Sequence, residues 1–317
     1  MSLQDVIGGF KYLAACALQL ERVGEGAFRS VSLWTPSASK VAYGGQLVAH
    51  SAEAAYRTVD DPTMEIISLQ LKFLSAGKSD CGSPVVYTVK SLHNSRSFCS
   101  RMVLAEQEER NILSALVSFH RRERGCFEHQ ICQPRRLTKP APAEGAPYSR
   151  LKDGRCLALP KQVREAVCRE AEVASVGYAN LMNLTTIHGT EPWDWWLRVE
   201  PEGWALLQKD TDIPERRLHI IVACWLSDFA VAIASLFPHT FPNSGLRQFV
   251  SLDHTIYFHH PDRIRVEEWF LYEVFSPWAA QGRGLSEGRI YGPDGTLWMS
   301  TVQQTLMRTG NDYKSRL

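Results

Sequence analysis

The stretch Ile220–Phe237 reads IIVACWLSDFAVAIASLF, and its one charged residue, Asp228, stands near the middle. Its length lies at the edge of what a membrane span needs, since a spanning helix takes about 20 apolar residues. No loops rich in lysine or arginine flank it, and the neighbouring segments are short and alternate between apolar and polar residues. The stretch therefore predicts a buried helix in the core of a soluble protein and no membrane span.

A second apolar helix with its own strands is predicted earlier in the chain. Tyr43–Val59 places apolar side chains at the spacing of one helix face, and Ile67–Phe73 then alternates strictly, as a half-buried strand does. Further alternating segments separated by polar turns follow both helices. The chain thus predicts an α+β fold with two copies of one unit, each a long central helix wrapped by an antiparallel sheet.

The domain boundaries follow from a change in composition between the two copies. Gln133–Pro147 is rich in proline, alanine and basic residues, which is typical of a linker. The residues after it have a mostly helical or irregular pattern before the second set of strands begins. We therefore predict a first unit over residues 1–130, a linker over 131–175 and a second unit over 176–317.

Charge and cysteine usage argue against several classes of protein. The formal net charge is +1, whereas a nucleic-acid binder usually carries a strong basic excess. The eight cysteines include no CxxC pair, so a zinc site is not expected. We expect the cysteines to be reduced thiols in an intracellular compartment. The N-terminus lacks the basic start and long apolar core of a signal peptide. We expect neither a metal nor a redox cofactor.

The last three residues, Ser315, Arg316 and Leu317, predict a location in the cell. Ser-Lys-Leu at a C-terminus is the peroxisomal address, and Ser-Arg-Leu keeps its small, basic and leucine positions. Chance is the alternative for so short a match. The tripeptide lies in a polar tail, Asn311–Leu317, which suits exposure to a receptor. We predict a peroxisomal protein with the peroxisomal import receptor as a partner.

Asp228 is the first candidate for catalysis. The chain has no GxSxG turn for a serine nucleophile and no P-loop or GxGxxG motif, so hydrolysis would need water as the nucleophile. A carboxylate in an apolar helix must find hydrogen-bond donors, or its pKa must rise. Either response suits a general base near neutral pH. The alternatives are an exposed aspartate on the outer helix face and a buried aspartate that the backbone satisfies.

Ser251 and Gln303 are polar residues of two predicted strands. Gln303 lies among the alternating residues of the last strand. Ser251 opens a strand, on the face that also carries Asp253, Thr255 and Tyr257. Such residues are usually found at a strand surface. A hydroxyl and an amide could, however, hold a water molecule next to a carboxylate.

Gly44 and Gly45 stand directly before the first predicted helix. Two glycines let the backbone approach a ligand closely, and the helix N-terminus presents free N–H groups and partial positive charge. Such a site suits the oxyanion of a tetrahedral thioester intermediate. An ordinary tight turn leading into the helix is the alternative.

Two histidine-containing pairs, Asp253-His254 and His259-His260, invite a metal or acid–base interpretation. Adjacent residues of a strand point to opposite faces, so neither pair can share one metal ion. We expect histidines at strand ends that form hydrogen bonds to the backbone.

Six segments, in order along the chain, resemble the acyl-CoA thioesterase II family, whose TesB-like members are double hot-dog proteins. They resemble the family's FGGQ-type helix start, its SFSxR strand, the segment that closes the first hot dog, the SD of the second central helix, the DHxxxFH strand and the STVQ strand. In this chain they are Tyr43–Val48, Ser97–Arg101, Phe127–Gln130, Leu226–Asp228, Ser251–His259 and Ser300–Gln303.

The resemblance implies two tandem hot-dog folds and hydrolysis of an acyl-CoA to a free acid and coenzyme A. It implies that Asp228 is the catalytic carboxylate, with Ser251 and Gln303 as the hydroxyl and amide that help to orient and activate the attacking water. It also implies that Asp253 is structural. Peroxisomal members of the family agree with the C-terminal tripeptide. Because hot dogs commonly pair through sheet edges, we also expect a homo-oligomer.

Two other interpretations stay open at this level. Hot-dog proteins include hydratases and dehydratases that act on acyl-CoA or carrier-bound acyl groups, and acyl transfer to an amine or alcohol is conceivable. A degenerate hot dog could also bind acyl-CoA without turnover. The motif set favours hydrolysis, because no hydratase-type His–Asp pair is found near Gly44, and the presence of Asp228, Ser251 and Gln303 argues against a non-catalytic protein. The acyl chain and the pathway stay open.

Overall fold

The computed structural model describes residues 16–34, 40–131, 176–182, 193–199, 201–228, 231–236, 238–239 and 246–310. The α-helices are α1 Gly44–Tyr56, α2 Pro201–Asp210 and α3 Glu215–Ser227. The strands are β1 Leu20–Gly24, β2 Ala27–Ser30, β3 Met64–Phe73, β4 Val86–Asn94, β5 Phe98–Gln107, β6 Arg110–Arg121, β7 Val176–Met182, β8 Trp193–Val199, β9 Leu246–Ser251, β10 Asp253–Phe258, β11 Phe270–Ala280, β12 Arg283–Tyr291 and β13 Leu297–Thr309.

The strands form one continuous antiparallel sheet across both halves of the chain. Its order is β1-β2-β4-β5-β6-β3-β10-β13-β12-β11-β8-β7, and β9 pairs with β13. The halves meet where β3 pairs with β10, with Leu71 opposite His254. The predicted α+β fold, in which two sheets join into one larger surface, is confirmed. The predicted domain boundaries and the homo-oligomer stay predictions, and nearly all of the predicted linker lies outside the described residues.

Helix α1 is buried along almost its whole length. Its sequence GGQLVAHSAEAAY is rich in alanine, which favours the helix, and its small residues allow close packing. Helix α3 uses this space, because the carbonyl oxygen of Trp225 lies 2.3 Å from where a Cβ on Gly45 would stand. The helices run antiparallel, since Glu53 near the end of α1 pairs with Arg217 near the start of α3.

One carboxylate lies buried between the two helices. Glu53 has no exposed surface, and its side-chain oxygens pair with Arg57 Nε at 2.7 Å and Arg217 Nε at 3.0 Å. Arg57 also contacts Asp212 at 2.8 Å. Burial raises the pKa of Glu53, and the guanidinium groups of Arg217 and Arg57 oppose that rise. Because a buried charge is tolerated only when it is paired, this network links the two helices.

The second apolar helix is also part of the core. By length and composition the segment Glu215–Ser235 could cross a membrane, but 81% of its most apolar window is buried inside the protein. That burial agrees with the predicted core helix. The predicted bounds, Ile220–Phe237, are wrong: α3 begins at Glu215 and ends at Ser227, and a 3-10 helix, Ala232–Ser235, follows.

Side chains satisfy the carbonyl groups at the end of helix α3. The Ser227 hydroxyl donates to the Cys224 carbonyl oxygen at 2.7 Å, and the Tyr272 O–H donates to the Ser227 carbonyl oxygen at 2.6 Å. A continuing helix would satisfy these oxygens with backbone N–H groups. The helix therefore ends where a strand from elsewhere in the sheet supplies the donor.

Candidate active site

Three polar side chains that are distant in the sequence meet at the end of helix α3. The side-chain amide of Gln303 donates from Nε2 to Asp228 Oδ1 at 2.9 Å and to Ser251 Oγ at 2.6 Å. Asp228 and Ser251 are partly exposed, whereas Gln303 is fully buried. The fold thus brings together the three residues implied by the family resemblance, one directly after α3, one in β9 and one in β13.

Gln303 lies on the inner face of β13. Thr301, Gln303 and Thr305 alternate along the strand and are buried, whereas Val302 and Gln304 between them are partly exposed. The interpretation of Gln303 as a strand-surface residue is therefore wrong. A buried polar side chain needs internal hydrogen-bond partners, and the amide nitrogen of Gln303 finds both of its partners within the cluster.

Ser251 reaches the cluster because the strand register changes beside it. Ser251 is opposite Thr305 in the β9–β13 pairing, and Thr255 is opposite Val302 in the β10–β13 pairing. Four steps along one strand therefore match three along the other, and a one-residue slip of this kind exchanges the two faces. The prediction that Ser251 shares the outward face of Asp253 and Thr255 is thus wrong, because the slip turns Ser251 inward.

Asp228 lies at the end of its helix, and the prediction that it lies in the middle of an apolar helix is wrong. It is the residue directly after α3, and the start of α1 stands against it. A Cβ on Gly44 would lie 2.7 Å from Asp228 Oδ2, so glycine at this position leaves the room that the carboxylate occupies. The partial positive charge of the α1 N-terminus therefore faces the carboxylate.

Gly44 and Gly45 lack a side chain for different structural reasons. Gly44 gives space to Asp228 and to the ring of Phe73, which a Cβ would meet at 3.2 Å. Gly45 gives space to the backbone of α3 and to the Tyr43 ring, which a Cβ would meet at 2.6 Å. The N–H groups of a first helical turn have no acceptor within the helix, so those of Gly44 and Gly45 can serve a ligand beside Asp228.

Asp253 and His259 lie outside the cluster. Asp253 Oδ2 pairs with Lys72 Nζ at 2.5 Å, and Asp253 Oδ1 accepts the Gln304 N–H at 2.9 Å, which fits a structural role. His259 Nε2 lies 2.9 Å from the side-chain oxygen of Ser300, so the prediction that this histidine bonds to the backbone is wrong. Within the described part of the chain, no group of three histidine, cysteine, aspartate or glutamate side chains could hold a metal ion.

A layer of buried polar side chains lies behind the cluster. His254 Nε2 is 2.9 Å from the hydroxyl of Ser227, the residue before Asp228. Tyr272 Oη, which donates to the Ser227 carbonyl, is 3.0 Å from Thr301 Oγ1. Sequence reasoning grouped His254 with histidines at strand ends. The alternation of β10 was the signal that could have placed it on the buried face.

The arrangement can hold and activate a water molecule. Asp228 supplies a proton acceptor, and the hydroxyl of Ser251 and the amide of Gln303 fix the orientation of the groups around it. The first turn of α1 supplies backbone donors on the side of Asp228 Oδ2. A base with neighbouring oxyanion donors is the combination that hydrolysis of an acyl group requires.

Comparisons with known proteins find similarity to acyl-CoA thioesterases in family models, related sequences and solved structures. Models described as the acyl-CoA thioesterase N-terminal and C-terminal domains match residues 31–120 and 154–307. The chain is 31% identical to acyl-coenzyme A thioesterase 8 of Homo sapiens over 306 residues, which cover 93% of this chain and 89% of the relative. It is 24% identical to peroxisomal acyl-coenzyme A thioester hydrolase 1 of Saccharomyces cerevisiae, over 85% of this chain and 86% of the relative. The crystal structure of an acyl-CoA thioesterase II, TesB2, from Mycobacterium marinum matches with a TM-score of 0.68 and 26% identity, over 94% of this chain and 98% of that chain.

Proposed function

Because the chain belongs to the TesB-like acyl-CoA thioesterase II family and is an acyl-CoA thioester hydrolase, we propose that Asp228, Ser251 and Gln303 carry out the hydrolysis. The products are a free acid and coenzyme A. The observation that carries this proposal is the Gln303 amide, which donates to both other side chains and so holds them in one site.

Asp228 acts as the general base. Its Oδ1 is held by Gln303, and its Oδ2 faces the start of α1, where the thioester would lie. Water loses a proton to the carboxylate as its oxygen attacks the thioester carbonyl carbon. When the tetrahedral intermediate collapses, the carbon–sulfur bond breaks and the leaving thiolate takes the proton back from Asp228. The carboxylate is then ready for another turnover.

The backbone N–H groups of Gly44 and Gly45 stabilise the oxyanion. They belong to the first turn of α1, where N–H groups have no intrahelical acceptor, and the helix N-terminus carries partial positive charge. Fixed donors of this kind favour the transition state because charge develops on the carbonyl oxygen only as water attacks.

We propose that the reaction uses no metal and no redox cofactor. Hydrolysis changes no oxidation state. The leaving group is a thiolate, and since thiols are weak acids (the pKa of the cysteine thiol is about 8.5), the carbon–sulfur bond breaks without a Lewis acid on the sulfur.

Gly44→Ala is expected to lower kcat by up to about 100-fold, because its Cβ displaces the Asp228 carboxylate and small displacements of a reacting group have costs of this size. Its free energy of unfolding should stay near the wild-type value, since alanine favours the helix. Gly45→Ala is the matched variant, and it should lower the free energy of unfolding by about 1–3 kcal/mol because its Cβ meets the α3 backbone. Steady-state kinetics and urea unfolding of both variants would check this, and a fully active Gly44→Ala enzyme would contradict the proposed position of the base.

The test of the proposed function is thiol release from a panel of acyl-CoAs of different chain length and branching. The wild-type enzyme is expected to release free coenzyme A and free acid in equal amounts, with the Asp228→Asn variant measured beside it. A hydrated or dehydrated thioester as the product, with no free thiol, would contradict the proposal. The panel also identifies the preferred acyl group.

We also propose that the enzyme acts in the peroxisome. The C-terminal tripeptide, which lies outside the described residues, and the similarity to the peroxisomal yeast hydrolase support this proposal. A fluorescent reporter fused before Met1 should enter peroxisomes and should stay in the cytosol when Leu317 is deleted. Asn311→Ala, in the same tail, is the matched control and should enter. Import of the protein without Leu317 would contradict the role of the tripeptide.

A further inference from the structure

His254 faces the amide of Gln303 across the sheet. Thr255 and Val302 are partners in the β10–β13 pairing, His254 and Gln303 are the residues beside that pair at the start of the one-residue slip, and their side chains are close enough to interact. Facing residues of an antiparallel pair lie on the same side of the sheet, with Cβ atoms about 5 Å apart. Both side chains are fully buried. The imidazole and the amide therefore meet away from solvent.

Each of the two facing side chains leaves one polar atom without a partner. Gln303 uses both Nε2 protons, on Asp228 and on Ser251. Its Oε1 and the Nδ1 of His254 are buried and have no hydrogen bond of normal geometry among the described atoms. A buried polar atom left unpaired costs about 1–3 kcal/mol, so two on facing side chains indicate that they serve each other.

The proton of a neutral imidazole can satisfy this pair in only one tautomer. If Nε2 carries the proton, the Nδ1 lone pair faces the oxygen of Gln303 and both atoms stay unpaired. If Nδ1 carries it, His254 donates to Gln303 Oε1, and Nε2 accepts from the Ser227 hydroxyl at 2.9 Å. In this tautomer the single proton of the Ser227 hydroxyl turns from the Cys224 carbonyl oxygen, at 2.7 Å, to His254 Nε2, at 2.9 Å, because it can serve only one of these two acceptors.

We propose that His254 is a positioning residue for the hydrolysis. Its ring is the neutral Nδ1–H tautomer, and it holds the Gln303 amide with the NH2 group towards Asp228 and Ser251. In this chain of hydrogen bonds the Ser227 hydroxyl donates to His254, His254 donates to Gln303, and Gln303 donates to Asp228, the base. A reversed amide would turn Gln303 Oε1 against the carboxylate of Asp228. This inference rests on the function proposed above for Asp228, Ser251 and Gln303.

The surroundings of His254 favour the neutral imidazole. Burial lowers the pKa of His254, and the Asp228 charge, the Gln303 side chain and the Asp253 charge oppose that effect without overcoming it. A neutral ring needs no counter-charge, so the negative charge of Asp228 stays available for the proton of water.

The tautomer can be measured directly in the wild-type enzyme. Histidine labelled with 15N gives distinct nitrogen shifts for the Nδ1–H, Nε2–H and charged rings, and the His254 signal is assigned by its loss in His254→Asn. We expect the Nδ1–H tautomer at pH 7.5. In Gln303→Leu, which removes the acceptor, the proton should move to Nε2. An Nε2–H or charged ring in the wild type would overturn the proposal.

Two substitutions of His254 separate positioning from packing. Asparagine places its amide nitrogen near the position of Nδ1, whereas glutamine places its amide near Nε2 and keeps a partner for Ser227. His254→Asn should keep kcat within about fivefold of wild type, and His254→Gln should lose about 10- to 100-fold in kcat with little change in KM, as expected for a misplaced amide. Urea unfolding of both variants shows whether stability differs. Equal kcat values for the two variants, or a more active His254→Gln, would overturn the proposal.

The outcomes also separate this inference from the proposed function. If Asp228→Asn keeps wild-type turnover, the assignment of the base fails, whatever the tautomer of His254. If Asp228→Asn is inactive while the wild-type ring is found as Nε2–H, the base stands and the positioning role fails.

Discussion

Replacing Asp228 with asparagine is expected to lower kcat by about 1,000-fold, within the range that general base catalysis contributes. Asparagine keeps the size of the side chain and still accepts the Gln303 N–H through its amide oxygen, so the cluster should keep its shape. What it loses is the capacity to take a proton from water. Since this loss acts on the chemical step, KM should change little and kcat should carry the effect.

Asp253→Asn is the matched control for Asp228→Asn. Asp253 is also an aspartate of the second half, but it pairs with Lys72 and accepts the backbone N–H of Gln304, away from the amide of Gln303. Its replacement should leave kcat near the wild-type value. Thiol release from the best acyl-CoA of the panel, under saturating substrate, measures both variants. If Asp228→Asn retains more than about a tenth of the wild-type kcat, another group is the base.

Replacing Glu53 with glutamine is expected to lower the free energy of unfolding by about 3–5 kcal/mol, the usual cost of removing one partner of a buried ion pair. Glu53 is fully buried between α1 and α3 and contacts Arg57 and Arg217. Glutamine has the same shape but no charge, so among the described residues the only remaining acidic partner of the two guanidinium groups is Asp212, which is largely exposed and pairs with Arg57. The expected loss therefore comes from uncompensated charge and not from a cavity.

Glu21→Gln is the matched control for Glu53→Gln. Glu21 pairs with Arg29 at 2.7 Å, but about half of each side chain is exposed, and such surface pairs contribute about 0–1 kcal/mol. Urea unfolding followed by circular dichroism measures both variants at the same pH. A loss below about 1 kcal/mol for Glu53→Gln would mean that Glu53 is already protonated, so that burial outweighs the two arginines.

Local patterns predicted helix α1 and the strands after it, because an apolar stripe at helical spacing and strict alternation each report which face a segment buries. These local patterns did not predict where a helix ends. The end of α3 depends on the Tyr272 hydroxyl, which a strand far along the chain delivers to the Ser227 carbonyl. Nothing within Ile220–Phe237 encodes that donor, so the continuous apolar composition predicted a longer helix.

The proposed catalytic residues were visible in the sequence only as separate motifs. Asp228 is unusual by itself, as the one charge in an apolar stretch, whereas Ser251 and Gln303 look like ordinary strand residues. The face of the sheet on which the Ser251 and Gln303 side chains lie depends on how the strands pair. Gln303 faces inward because β13 packs its Thr301 side against the core, and Ser251 does so because of the one-residue slip between β9 and β10.

The sequence by itself therefore determined the fold class, the two buried helices, the family and the identity of the three candidate catalytic residues, because each of these follows from local periodicity or from ordered motifs. Only the tertiary structure decided that Asp228 ends its helix against Gly44, that Ser251 turns inward, that Glu53 is buried between two arginines and that His254 meets Gln303. Those facts concern side chains from distant parts of the chain. Their distances and hydrogen bonds are set by strand register and helix packing, which no local pattern contains.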